Sequence, residues 1–151
     1  MKKFSQHWQD EFKMVLSFSA SVENIRRFAL CGRKVIETIW PQEEQLAFDI
    51  ELCLVEALSN VLFHAHYAKP NCHLSFQLRR NKNSLSIRVY DQGKGFSLPE
   101  QFAKKQDPYQ TSGRGLQLMK GLMDRLEYFQ RSHRNQLLLE KNISICEDQS
   151  V

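Results

Sequence analysis

Three short stretches carry residues whose types and spacing suit chemistry. The first is Asp91-Gln92-Gly93-Lys94-Gly95-Phe96. Leu85, Ile87 and Val89 alternate with polar residues in a strand pattern, and one further step of that alternation turns Asp91 toward the core. Gly93 and Gly95 remove side chains where a planar or charged ligand would approach the backbone. An Asp in that place can accept a hydrogen bond from an exocyclic amine such as that of adenine; taken alone, the motif also describes a tight turn whose Asp caps local amides. The second stretch, Gly113-Arg114-Gly115, directly precedes a helical pattern. Free amides and the positive end of a helix dipole make an anion site there, and two glycines admit phosphate oxygens. Alone, it is also an ordinary loop-to-helix junction. The third is Glu56-Ala57-Leu58-Ser59-Asn60. Its Glu56 and Asn60 are one helical turn apart and share a face with Asp49.

These stretches need elements to position them. Glu56 and Asn60 fall in a helical run over residues 43–67. Leu46, Ala47, Ile50, Leu54, Ala57, Leu58, Val61, Leu62 and Ala65 make its core stripe, and Phe48, Leu52, Val55 and Phe63 widen the apolar surface. One narrow polar stripe remains, and a carboxylate on it calls for a polar neighbour. Before it, Phe12, Met14, Leu16 and Phe18 alternate as a strand. A helix follows, capped by Ser19 or Ser21, with Glu23 in its first turn and Pro41 as its stop. Gly32 inside it costs about 1 kcal/mol of helix propensity against Ala and points to close packing.

After the turn Lys69-Pro70-Asn71, residues Cys72, Leu74, Phe76 and Leu78 alternate with polar ones, and Asn81-Lys82-Asn83-Ser84 joins them to the Leu85 strand as a hairpin. Residues 97–112 are mostly polar and read as a loop. From Arg114 the residues Leu116, Leu118, Met119, Leu122, Met123 and Leu126 keep helical spacing; Tyr128 and Phe129 then start a strand, and Leu137-Leu138-Leu139 is the last one. Strands and helices do not alternate strictly. The expected fold is α+β: a two-layer sandwich in which three helices cover one face of a mixed, mostly antiparallel sheet.

A chain of 151 residues, 42% hydrophobic and 25% charged, fits one domain with a real core. Its net charge of +4 suits an anionic ligand but falls short of the basic stripe of a nucleic-acid binder. No apolar run is long enough to span a membrane, and the N-terminal residues lack a signal-peptide core. Cys31, Cys53, Cys72 and Cys146 show no C-x-x-C spacing and are expected to be reduced thiols, buried where they fall on apolar helix faces, in a cytoplasmic protein.

Read together, the E-x-x-x-N helix, the strand ending in D-x-G-x-G and the G-x-G before a helix resemble the GHKL, or Bergerat-fold, ATPases: histidine kinases, DNA gyrase B, Hsp90 and MutL. Glu56-Ala57-Leu58-Ser59-Asn60 with His64-Ala65, Asp91-Gln92-Gly93-Lys94-Gly95-Phe96, and Gly113-Arg114-Gly115-Leu116 followed by Leu122-Met123-Asp124 carry the resemblance, which extends over residues 12–141. It is nearest to the stand-alone bacterial anti-sigma-factor serine kinases, as no fused domain or phosphoacceptor-histidine helix is seen. The resemblance implies that Asn60 ligates Mg²⁺ on the phosphates and that Asp91 reads the adenine amine. It also implies that Gly93 and Gly95 line the base pocket, that Gly113, Arg114, Gly115 and Leu116 wrap the phosphates, and that residues 97–112 form a lid. Glu56 is implied as the general base. The threonine frequent in the family's final strand has no counterpart in Asn135-Gln136-Leu137.

Two functions follow from the resemblance. One is an ATP-dependent serine/threonine kinase that grips a sigma factor, phosphorylates a STAS-type antagonist, and forms a homodimer. The other is a nucleotide-gated binding module without significant transfer activity. Intact Glu56 favours the first, since a pure binder needs no base.

Overall fold

The computed structural model describes residues 11–64, 72–81, 83–92, 114–132 and 134–143. The elements are β1 (Phe12–Ser19), α1 (Val22–Ile39), α2 (Glu44–His64), β2 (His73–Asn81), β3 (Ser84–Asp91), α3 (Gly115–Leu122), β4 (Arg125–Phe129) and β5 (Asn135–Asn142). The five strands form one sheet in the order β1-β2-β3-β5-β4. Each pairing between neighbours is antiparallel. The expected α+β sandwich is therefore what the chain forms, with no parallel pair among the described residues.

Alternation explains the sheet. Rows of apolar side chains run across one face: Leu16 stands opposite Phe76, Phe76 opposite Val89, Val89 opposite Leu137, and Leu137 opposite Tyr128. Leu74, Phe76, Leu78, Leu85, Ile87 and Leu139 are fully or almost fully removed from solvent. The helices close this face. Ser21 caps α1 by accepting a hydrogen bond from the Asn24 amide at 3.0 Å, which satisfies one of the donors a helix start leaves open. Ile25, Ala29, Gly32 and Ile36 form its buried stripe. In α2 the buried residues Ala47, Ile50, Cys53, Leu54, Ala57, Leu58 and Val61 recur at helical spacing as expected. Phe48 and Phe63 instead face outward, 43% and 51% exposed, so the apolar surface does not wrap the helix completely. The guanidinium of Arg33 lies 5.6 Å from the Phe48 ring and also pairs with Glu51 at 2.9 Å, tying α1 to α2.

Gly32 is explained by that helix pair. A Cβ there would stand 2.5 Å from Cδ1 of the fully buried Leu54. Overpacking a core in this way costs about 1–3 kcal/mol, offset by about 1 kcal/mol of helix propensity. Gly32→Ala is expected to lower stability by about 1 kcal/mol net in urea unfolding at unchanged m-value. A variant more stable than the parent would show that the α1–α2 contact has room to spare.

The last helix is shorter than its spacing suggested. Met123 closes α3 with its amide on the Met119 carbonyl at 2.9 Å. The Asp124 amide then pairs with the Glu140 carbonyl at 2.9 Å, and Lys141 donates to the Leu122 carbonyl at 3.1 Å. The chain thus leaves the helix for the sheet two residues before Leu126, which stands in β4 opposite Leu139. Leu126 has the right spacing for the helix stripe and the right parity for the strand, so its apolar character fitted both. A second correction concerns the cysteines. Cys53 is buried, but Cys31 is exposed, because the inward stripe of α1 passes through Ala29 and Gly32 on either side of it. Burial pushes the Cys53 thiol up to about 12, helped by the nearby charges of Asp49 and Glu56. Cys146 lies outside the described residues.

Candidate functional site

Glu56 and Asn60 project from the C-terminal half of α2, both half-buried, as does Asp49 further back. The polar neighbour of this stripe is the start of α3, which packs against α2. A Cβ built on Gly115 would collide with Oε2 of Glu56 and stand 3.3 Å from its Cδ and 3.5 Å from its Cβ. Only a residue without a side chain lets the Glu56 carboxylate come this close to the backbone where α3 begins. Arg114 is the N-cap of α3 and makes no side-chain cap bond, and no acidic residue stands in the first turn. The first turn of the helix thus carries no acidic side chain of its own, and the carboxylate beside its positive end is that of Glu56. Arg114 is exposed, whereas Leu116 packs against the core.

Asp91 ends β3 on the core face, as the alternation required, and is 6% exposed. A buried carboxylate needs donors. Asn135 lies directly opposite it on β5 and donates Nδ2–H to Oδ1 at 2.9 Å. Tyr128 stands opposite Leu137, two residues further along β5, and its hydroxyl reaches across that strand to Oδ2 at 2.9 Å. Burial of the Tyr128 phenol, reinforced by the Asp91 charge, raises its pKa, so it remains a protonated donor through the neutral range.

The sequence reading did not single out Tyr128 or Asn135. Their signal was present: Asn135 keeps the parity of Leu137 and Leu139, and Tyr128 that of Leu126, so each faces the core by the same alternation that placed Asp91. Asn135 stands at the start of the strand where the family's threonine was lacking. Gly93, Gly95, Gly113 and the whole 97–112 segment lie outside the described residues. The described residues of interest therefore fall in two groups: Glu56, Asn60 and Gly115 where α2 meets α3, and Asp91 with Tyr128 and Asn135 at the end of the central strand β3. Helix α2 is in contact with both α3 and β3 and so links them.

A five-stranded sheet of this order under α1, α2 and α3 is consistent with the histidine-kinase-like ATPase fold. The chain belongs to the histidine kinase-like ATPase domain family, matched over residues 18–141. It is also similar to the serine/threonine-protein kinase BtrW of Bordetella bronchiseptica, with 31% identity over an alignment of 99 residues that covers 63% of this chain and 70% of that protein. ATP binding and a kinase-like or ATPase-like activity are what this membership supports. Among the described residues, no helix is long and apolar enough to cross a membrane.

Proposed function

We propose that the chain is an ATP-dependent serine/threonine protein kinase and anti-sigma factor that phosphorylates a STAS-type antagonist and exchanges partners as a result. Residues 1–151 would act as a single domain with its core over 12–141, in the cytoplasm, with a homodimer as the functional unit. The observation that carries the catalytic part is the approach of the Glu56 carboxylate to Gly115. A carboxylate of α2 beside the helix start proposed to bind phosphates supports Glu56 as the base. The kinase named above as a relative supports the choice of serine or threonine as acceptor.

In this reading Glu56 takes the proton of the attacking hydroxyl. Arg114 and the amides from Gly113 to Leu116 hold the phosphate oxygens, with the dipole of α3 behind them. Asp91 accepts from the adenine amine, and Gly93 and Gly95 admit the base. Phosphoryl transfer asks mainly for alignment and charge neutralisation, which this set supplies without a covalent intermediate.

Mg²⁺ fits the donor set. Among the described residues, no group of three or more His, Cys, Asp or Glu could hold a metal by itself. Mg²⁺ commonly takes only one or two protein groups and completes its shell with phosphate oxygens and water. The amide oxygen of Asn60, one turn from Glu56, would be that protein ligand, and the ion would neutralise charge on the phosphates.

Two experiments test the proposal. Incubation with γ-labelled ATP and STAS-domain proteins should label a serine or threonine of the acceptor; tight ATP binding with no transfer to any of them would leave only a nucleotide-gated binding module. Titration of ATP with and without Mg²⁺ should show that Asn60→Ala loses the metal-dependent share of affinity and keeps the metal-free share. A full Mg²⁺ enhancement in that variant would exclude Asn60 as the ligand.

A further inference from the structure

A carboxylate at the end of a strand turns easily about its last torsion, whose preference is broad. Asp91 has that freedom removed. Its two oxygens accept from two different strands, Oδ2 from Tyr128 on β4 and Oδ1 from Asn135 on β5, each at 2.9 Å. An ionised carboxylate accepts about four hydrogen bonds in all, and donors on both oxygens fix the directions from which any others arrive. Both donors sit in hydrogen-bonded strands, with Asn135 buried and Tyr128 half-buried. The phenol keeps its proton, and the Asn amide must turn its NH₂ toward an acceptor-only partner, so neither contact can reverse.

We infer that Tyr128 and Asn135 are positioning residues that fix the plane of the Asp91 carboxyl as a pure acceptor, and that they thereby set the preference for a purine with a 6-amino group over one with a 6-oxo group. This rests on the proposed reading of Asp91 as the adenine contact. A fixed acceptor meets the amine hydrogen of adenine, whereas a 6-oxo group presents another acceptor in that place. Sites built to match one donor discriminate strongly against ligands that lack it, because the polar group of the site is then left unmatched. A carboxyl free to turn would lose alignment with the amine and would discriminate less.

The test compares affinities for ATP and inosine triphosphate in wild type, Tyr128→Phe, Asn135→Ser and Asp91→Asn, each first shown to be folded by its thermal transition. Tyr128→Phe removes one oxygen and keeps the ring, so packing in β4 is retained. Its ATP affinity should fall by about tenfold with inosine triphosphate affinity within about twofold, narrowing the preference. Asn135→Ser, which shortens the donor, should act in the same direction. A purely structural role would weaken both nucleotides alike and leave their ratio unchanged. That unchanged ratio in both folded variants would overturn the inference, and should one variant not fold, the other decides. If Asp91→Asn itself leaves the ratio at the wild-type value, the assignment of Asp91 to the base fails instead, and the two failures are told apart.

Discussion

Glu56→Gln should reduce phosphoryl transfer by about 10²–10⁴-fold while ATP affinity stays within about threefold. The amide keeps the size of the side chain and its place against Gly115, so the architecture where α2 meets α3 is retained. What is lost is the ability to take a proton from the acceptor hydroxyl. A single-turnover assay with labelled ATP and a STAS-type acceptor separates the chemical step from binding. Unchanged transfer would remove Glu56 from the role of base. An equal loss of binding and transfer would mean that the carboxylate serves to hold the nucleotide or the fold.

The second large effect is expected from Gly115→Ala. The added methyl would occupy the space of Glu56 Oε2, so either the carboxylate or the start of α3 must move. A misplacement of about 1 Å at a reacting group costs about 10²-fold in rate, and a loss of that size in turnover is the expected result. The cause can be checked by a double variant. In a Glu56→Ala background the obstructing carboxylate is gone, and the remaining Cβ, 3.5 Å away, is in ordinary contact. Gly115→Ala should then be better tolerated, with a coupling of about 0.5–3 kcal/mol in unfolding free energy between the two sites. Additive effects would show that Gly115 is needed for something other than room for Glu56.

Much of this arrangement was legible in the order of residues because it rests on short-range periodicity. The pattern from Leu85 to Val89 placed Asp91 on the core face, and the four-residue step from Glu56 to Asn60 placed both on one side of α2. Pro41 marked the end of α1, and its start was narrowed to a cap at Ser19 or Ser21, of which Ser21 is the one used. The features that escaped depend on which distant segments meet. Tyr128 and Asn135 serve Asp91 only because β5 is inserted between β3 and β4, and nothing local dictates that order. The end of α3 was overrun because Lys141 and Glu140, which draw the chain into the sheet, lie well beyond it. The reason for Gly32 was similarly invisible until Leu54 was found across from it.

The strand order also bears on synthesis at the ribosome. The partners of Asp91 follow it by 37 and 44 residues. A nascent chain that has emerged only through the β2–β3 hairpin already contains the carboxylate, together with α1, α2 and β1, but neither of the groups that hold it. Hairpin pairing is fast and local, whereas β5 must come back past the intervening segment to insert beside β3. The hydrogen bonds that hold Asp91 are therefore acquired late in translation, and a chain cut short before Asn135 carries the carboxylate without either of these two donors.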